Sequence, residues 1–532
     1  MGQKSNSVSV SKWIALVAAL FFMFATAIIP PFTGLSPSGF QVLGILVGAS
    51  ILFLTWGTDW TSMLVVFAFM TVPALSINTI TQATFGNSTV VFLIFTFMLA
   101  GCLTKSGVAR RIAVWFITNK LARKSPWWTV AMILIAMYII SMPLSSAATF
   151  MIMFPIVQEI LASVGLKKED KAPLATVLIL GLLVMGLLAN GGNPIAHAMT
   201  LQGFSFFQSY TGQAMDFFAY CAIATPVSLI GAVFYFVIVR FLWRPDVSAL
   251  SNVDYEKLTA GLGTMSKKEK WSIGFYLACI VLWLLPGLTQ YIWPAGYSAV
   301  FSKIQQCMPP LVALFLMNFI KADGEPVFKW SDAVSCVPVG MVFFMVSIMG
   351  IGAFMGNPDI GIAAWLTEVL SPVFANVSAT MFMVIMLVFC GILCSFCTGS
   401  IPLAITFAVA MPLCTTIYAG QINPMVVGAL ATVLANTTWT TAPCSPISAI
   451  AYSSGWIVPK NMIKYGLLTT IITIIAALLS NFAHIAAVQN AFAGIRVAVC
   501  VLIFNSIVKL WKKSVVDKRT LVIFLLVLAG GC

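Results

Sequence analysis

The chain has 532 residues, of which 60% are hydrophobic and 8% charged, with a formal net charge of +13. A soluble fold of this length cannot hide so much apolar surface in one core, so the bilayer is the solvent. In lipid the backbone must be satisfied within helices or protein-buried breaks, and no run alternates as an outer-membrane strand does. The expected class is an all-α polytopic membrane protein.

The first apolar run, Lys12 to Ile29, is too long for an ordinary signal-peptide core and lacks a convincing small-residue cleavage site, so it reads as a membrane helix. With the N-terminus inside, spans near 12–30, 39–57, 62–76 and 88–105 return the chain to the cytoplasm at the basic stretch 105–124. The run 126–165 is interrupted at Met142-Pro143-Leu144-Ser145-Ser146 and followed by Lys167-Lys168-Glu169-Asp170-Lys171. Starting and ending on one side, it predicts a re-entrant hairpin. Spans near 173–203 and 217–239 lead to the basic loop 240–270, and spans near 272–293, 306–320 and 331–353 finish outside. There, 354–380 holds Asp359 and Glu368 and no Lys or Arg, so a second hairpin, about 381–420, enters from outside. Segments 423–455 and 465–488 follow, with a further span at 491–511; Thr520–Cys532 is too short to cross. The total is about 11–12 transmembrane helices.

This threading puts nearly every Lys and Arg on one side, with Lys303 and Arg496 as exceptions. No basic patch with interleaved aromatics is left to bind nucleic acid. The twelve cysteines lie mostly inside apolar runs; Cys390, Cys394 and Cys397 share a helix face and read as small packing residues, with no disulfide framework.

The halves echo each other in order. Ile112-Ala113-Val114-Trp115 matches Ile362-Ala363-Ala364-Trp365; Ala147-Ala148-Thr149-Phe150 with Pro155 matches Ala404-Ile405-Thr406-Phe407 with Pro412; Asn193-Pro194-Ile195 matches Ser445-Pro446-Ile447. Collinear matches at a nearly constant offset predict a repeat, and hairpins opening to opposite sides make it inverted. Inverted repeats with broken helices are the mark of secondary transporters, whose site lies near the midplane at the breaks.

Here the breaks are Asn190-Gly191-Gly192-Asn193-Pro194 and Thr440-Thr441-Ala442-Pro443-Cys444-Ser445-Pro446. Gly and Pro release backbone groups, while Asn, Ser and Thr supply short donors and acceptors; in lipid such breaks need a polar, protein-walled cavity. The hairpin tips, Ser145-Ser146-Ala147 and Thr398-Gly399-Ser400, are expected to face them. Half-helix N-termini suit anions, and carbonyls and hydroxyls suit Na⁺. No Lys or Arg lies near these elements, so an anion needs dipoles, hydroxyls and a co-bound cation or proton. That favours coupled transport over an open pore. His197, one of two histidines, reads either as a packed histidine or as a substrate-contacting or protonatable group. Glu159 is expected near the cytoplasmic interface.

At these residues the chain resembles the divalent anion/sodium symporter family, the dicarboxylate, citrate and sulfate carriers, over about residues 12–488. The clearest piece is Ser445-Pro446-Ile447-Ser448-Ala449-Ile450-Ala451-Tyr452-Ser453-Ser454-Gly455 followed by Lys460-Asn461-Met462-Ile463-Lys464, where the family reads Thr-Pro-Pro-Asn-Ala-Ile, a Ser-Gly pair and a similar basic stretch. The resemblance implies a homodimer in a plasma or cytoplasmic membrane, with a scaffold and a moving transport domain working as an elevator. Arm helices would begin at Ile112–Trp115 and Ile362–Trp365. The implied division is 1–125 scaffold helices and first arm, 126–243 first transport half, 244–376 second scaffold part and arm, 377–488 second transport half, and 489–532 a C-terminal extension.

The family's ligands come from two Ser-Asn-Thr tips. Aligned on Pro155, the first becomes Ser145-Ser146-Ala147, keeping the serine and losing the amide. Aligned on Pro412, the second becomes Pro402-Leu403-Ala404, with no polar group, whereas a small shift brings Thr398 and Ser400 to the tip. The expected substrate-binding set is Ser145, Ser146, Asn193, Pro194, His197, Thr398, Ser400, Ser445, Pro446 and Ser448. The expected Na⁺ ligands are Ser145, Gly192, Thr398 and Cys444.

The expected function is secondary transport of small di- or tricarboxylate-type anions coupled to Na⁺, the alternative being an anion exchanger or a carrier of sulfate-like oxyanions. An intramembrane enzyme is disfavoured. A zinc protease needs His-Glu-x-x-His, which neither His197 nor His484 provides, and no membrane Lys or Asp pair suits other proteases.

Overall fold

The computed structural model describes residues 10–195, 197–253, 255–259, 262–292 and 305–481. The expected span at 491–511, the extension 489–532, His484, Lys303 and Arg496 lie outside the described residues. Helices α1 (Val10–Phe24), α2 (Pro37–Thr55), α3 (Asp59–Phe69), α4 (Ile77–Ala83) and α5 (Ser88–Lys105) precede a short amphipathic α6 (Val108–Thr118). An interrupted pair follows, α7 (Pro126–Ser141) and α8 (Ser146–Ser163), then a second, α9 (Pro173–Gly192) and α10 (Ala198–Thr211), and then α11 (Phe217–Val237).

Helices α12 (Tyr255–Thr259), α13 (Lys267–Ile292), α14 (Met308–Phe319), α15 (Trp330–Ser335), α16 (Val339–Met355) and α17 (Ile362–Phe374) connect the halves. The same order then recurs: an interrupted pair α18 (Ala379–Cys394) and α19 (Ser400–Thr415), a second pair α20 (Pro424–Ala435) and α21 (Pro446–Ser453), and α22 (Pro459–Asn481). Among the described residues the departure from an all-α chain is a short ribbon, β1 (Lys321–Ala322) paired with β2 (Glu325–Pro326).

Sequence explains where these helices start. Ser36, Ser125, Asn423 and Ser445 each cap a helix whose first residue is proline, so the side-chain oxygen takes an orphan N–H and the pyrrolidine presets φ. Asn87, Asp216 and Ser378 cap α5, α11 and α18 in the same way. Small residues then decide how closely helices meet. A Cβ on Gly44 would lie 2.3 Å from the Phe22 carbonyl and one on Gly48 2.6 Å from that of Ala19, so this G-x-x-x-G stripe lets α2 lie directly on α1.

Among the described residues, seven helices are long and apolar enough to cross a bilayer, or eight if α17 and α18 are one bent span. Six apolar helices are shorter, among them α7, α19 and α20. The expected 11–12 therefore mixes whole spans with half-spans that need protein around their ends. Helix α9 is buried along its length, with α7, α8 and α11 packed on it, and α18 and α19 pack in the same way on α20.

Segments expected on the same side of the membrane meet. Arg111 makes a two-bond ion pair with Glu269 (2.7 and 3.2 Å) and donates to the Gly263 carbonyl at 2.7 Å, while Lys105 reaches Asp332 at 3.3 Å and Ser335 at 2.7 Å. All of these segments are expected at the cytoplasmic face. At the opposite end, Ser36 donates to the Ile360 carbonyl at 2.7 Å and the Trp365 indole to that of Thr33 at 3.1 Å, joining two loops assigned outside. Helix α6 begins at Val108, a turn before the expected Ile112, because Gly107 takes the left-handed conformation (φ 86°); Gly361 (φ 78°) does the same before α17. Helix α17 then meets α18 at 117°.

Candidate functional site

In the first half, α7 ends at Ser141, Met142–Ser145 turn, and Ser145 caps α8 by accepting from the Ala148 N–H at 3.3 Å. Helix α9 stops at Gly192. The amide of Asn193 closes that end, donating to the Ala189 carbonyl at 3.1 Å and accepting from the Ile195 N–H at 2.9 Å. Two freed carbonyls of α9 go to hydroxyls of α11, Tyr220 to Gly191 at 2.6 Å and Thr225 to Gly192 at 2.7 Å, and Ser228 donates to the Leu188 carbonyl one turn earlier at 2.5 Å. The break is thus a constructed feature.

Asn190 joins this break to the hairpin tip. Its Nδ2 donates to Ser146 Oγ at 2.8 Å, while its Oδ1 is buried without a hydrogen-bond partner, as are Ser141 Oγ and Thr149 Oγ1. Gly186 forms the floor between them: a Cβ there would stand 3.4 Å from Ser141 Oγ and 3.3 Å from Ser146 Cβ. Tyr276 of α13 donates to the Pro143 carbonyl, tying the tip to a helix outside the half.

In the second half, α18 ends at Cys394 and α19 begins at Ser400, so the tip is Ser395–Gly399. Thr398 Oγ1 there is buried and unpartnered. Helix α20 ends at Ala435, and a largely irregular stretch runs to Ser445, which caps α21 by accepting from the Ser448 N–H at 3.2 Å. Ser448 Oγ lies 2.8 Å from Ser445 Oγ and donates to the Thr438 carbonyl at 2.9 Å. Thr441 Oγ1 donates to the Ser395 carbonyl at 2.9 Å, the counterpart of the tip-to-break link made by Asn190.

The two breaks meet. Thr200 Oγ1 donates to the Asn190 carbonyl at 2.7 Å and accepts a long bond, 3.5 Å, from Asn436 Nδ2. Helix α10 packs on α19 and α20, while α21 packs on α8 and α9, so each half lays its short helix on the other's hairpin and broken helix. Gly399 is the tightest point, where a Cβ would fall 1.9 Å from the Ala435 carbonyl oxygen. Helices α8, α10, α19 and α21 all begin in this region. Residues 126–158, 172–215 and 377–459, which supply it, contain no Asp, Glu, Lys or Arg. Its electrostatics come from helix N-termini, hydroxyls and amides, a set that can hold an anion and a small cation together.

The profile of the sodium:sulfate symporter transmembrane region matches residues 10–507. The chain belongs to this family. No curated protein matches the sequence. Among solved structures, it is similar to MtrF of Neisseria gonorrhoeae, whose structure is described as illuminating a class of antimetabolite efflux pumps, at 13% identity, covering 89% of this chain and 95% of that one, with a TM-score of 0.48. It is also similar to the YdaH transporter of Alcanivorax borkumensis, described as having an unusual topology, at 13% identity over 88% of this chain and 96% of that one, with a TM-score of 0.46. As a sodium:sulfate symporter family member the chain is a multi-pass secondary transporter and not an enzyme.

In this symporter-family chain the expected site residues divide by what already occupies them. Ser145 and Ser445 are half-buried caps with long bonds to their own helices, and Ser146 is buried against Asn190. Thr398 and Ser400 lie at the second tip, as in the shifted alignment; Pro402-Leu403-Ala404 lies inside α19. Asn193 is spent on its own turn beside Pro194 and on Met142 Sδ of the first tip at 3.1 Å, the Gly192 carbonyl holds Thr225, and Cys444 Sγ is 2.7 Å from the Thr441 carbonyl. His197 is fully buried at the start of α10, Pro446 is exposed, and Ser448 bridges back to the break. The network residues absent from the expected set are Ser141, Asn190, Thr200, Asn436 and Thr441. Ser141, Asn190 and Thr200 are polar side chains within or at the end of apolar runs, and Asn436 and Thr441 bound a threonine-rich stretch after one, the available signal.

Proposed function

We propose that this symporter-family chain carries small di- or tricarboxylate-type anions with Na⁺ across a plasma or cytoplasmic membrane, as a homodimer working by an elevator movement of two inverted halves. The observation that carries this reading is the charge-free meeting of two hairpin tips and two broken helices, with Asn190 Oδ1 and Thr398 Oγ1 buried and unpartnered there. A carboxylate is compensated by helix N-termini and by the Ser145 and Ser445 hydroxyls. Without a cationic side chain, a bound Na⁺ supplies the remaining positive charge, and a buried amide oxygen is a suitable hard ligand. We assign Ser145, Ser146, Thr398, Ser400, Ser445 and Ser448 to the anion, and Asn190, Ser145 and Thr398 to the cation. In the elevator reading 126–243 and 377–488 move, and the Tyr276–Pro143 bond breaks when they do.

The test is counterflow in proteoliposomes against a panel of dicarboxylates, citrate and sulfate, with Na⁺ or choline at fixed pH. Saturable carboxylate uptake that rises steeply with Na⁺ is expected. Exchange that persists in choline would favour the anion exchanger, and sulfate alone as substrate would favour the oxyanion carrier.

A further inference from the structure

A cleft of about 430 Å³ lies apart from the breaks, between the α5–α6 junction and α8. Its walls are Thr104, Gly107 and Arg110 on one side and Met151, Ile152, Pro155, Ile156 and Glu159 on the other. The α8 residues form a single stripe at helical spacing that runs, over about 12 Å of rise, from the charged end of the helix inward. Met151, 58% exposed, keeps this stripe open to the surroundings.

Two charges face this cleft without meeting. Among the described residues, the side chains of Arg110 and Glu159 form no ion pair or hydrogen bond, with each other or with any other group, although both line it. The neighbouring Arg111 is committed to Glu269 and Gly263. The cleft therefore offers a free cation, a free anion and an apolar furrow. Trp115, 58% exposed on the same amphipathic α6, and the basic Lys167–Lys171 segment after α8 put the charged end at the membrane interface.

We propose that this cleft binds a phospholipid with a primary-ammonium zwitterionic headgroup, of the phosphatidylethanolamine type. Its phosphate pairs with the Arg110 guanidinium, its ammonium donates to the Glu159 carboxylate, and one acyl chain follows Ile156, Pro155, Ile152 and Met151. A choline headgroup satisfies the phosphate contact but has no N–H for Glu159. A glycerol headgroup leaves Glu159 facing the lipid's own negative charge. The lipid fills the space between the first arm helix and the first hairpin.

The full chain in detergent, mixed with dioleoyl-phosphatidylethanolamine, -phosphatidylcholine or -phosphatidylglycerol, is scored for bound lipid by native mass spectrometry. The ethanolamine lipid is expected to bind about tenfold more tightly than the choline lipid, one charge-assisted hydrogen bond's worth. Glu159→Gln should abolish that preference, Arg110→Gln should weaken both, and Lys120→Gln should change neither. Combining Arg110→Glu with Glu159→Arg should restore ethanolamine preference, which a merely misfolded single variant would not explain. Equal binding of ethanolamine and choline lipids by the wild type overturns the proposal. So does a Glu159→Gln variant that keeps the preference, or a wild type that prefers the glycerol lipid.

Discussion

Replacing Asn190 with alanine tests the link between the first break and the first tip. Asn190 is 8% exposed and Ser146 6%, so the bond at 2.8 Å between them is screened from water and has no ready replacement. Its loss leaves the Ser146 hydroxyl buried without this partner, a cost of about 1–3 kcal/mol to the assembled site. The same substitution removes Oδ1, the unpartnered oxygen assigned to the cation. A contact to a charged group contributes about 1.5–3 kcal/mol, so the Na⁺ half-saturation of uptake should rise roughly ten- to hundredfold. Asn190→Asp keeps an acceptor at this point and should retain Na⁺ affinity better than alanine does. The assay is initial uptake in proteoliposomes across a Na⁺ series at saturating anion, with monodispersity in detergent as the folding control. An Asn190→Ala protein with unchanged Na⁺ half-saturation would refute the assignment, even if it is less stable.

Ser145→Ala and Ser445→Ala each remove a helix cap of about 0.5–2 kcal/mol and, on the proposed reading, an anion contact, so apparent anion affinity should fall roughly tenfold or more. Ser163→Ala, whose hydroxyl only back-bonds to Ile160 at 2.8 Å, should leave uptake unchanged in the same assay. Gly399→Ala puts a methyl 1.9 Å from the Ala435 carbonyl, which is backbone and cannot swing aside, so the tip must move about 1.5 Å to reach ordinary contact. Transport should collapse in Gly399→Ala while Gly274→Ala, with open space around it, stays active. Outside the apolar run of α13, burial raises the Glu269 pKa, but the bonds from Arg111 and Ser266 outweigh it and hold it below the usual 4.5. A depressed carboxylate stabilises the fold above its unfolded pKa and loses that contribution as pH falls through the folded value. Thermal unfolding in detergent should therefore show an acid loss of stability below about pH 4.5 that Glu269→Gln lacks.

Much of this protein is legible without coordinates because the bilayer imposes strong local rules. The run Ser88–Lys105 emerges with the expected ends, since an apolar stretch between Asn87 and Ser106 has one way to satisfy its backbone in lipid. The four interruptions are legible for the converse reason: Pro, Gly, Asn, Ser and Thr in clusters weaken a helix inside an apolar run, whereas the lone Pro155, Pro226 and Pro412 stay within α8, α11 and α19. What the sequence could not decide is which polar groups each break uses internally and which it leaves free. Asn193 is spent on its own turn and on Met142 Sδ of the tip, with no oxygen left over, whereas Asn190, three residues earlier, reaches Ser146 and keeps an oxygen in reserve. That difference depends on where α9 ends against α11, whose Tyr220 and Thr225 take freed carbonyls and whose Ser228 takes that of Leu188. It also depends on the second half, because Asn436 meets Thr200 only once α10 crosses onto α20. Local composition determined the breaks; the packing of helices distant in sequence decided which of their hydrogen-bonding groups are still available.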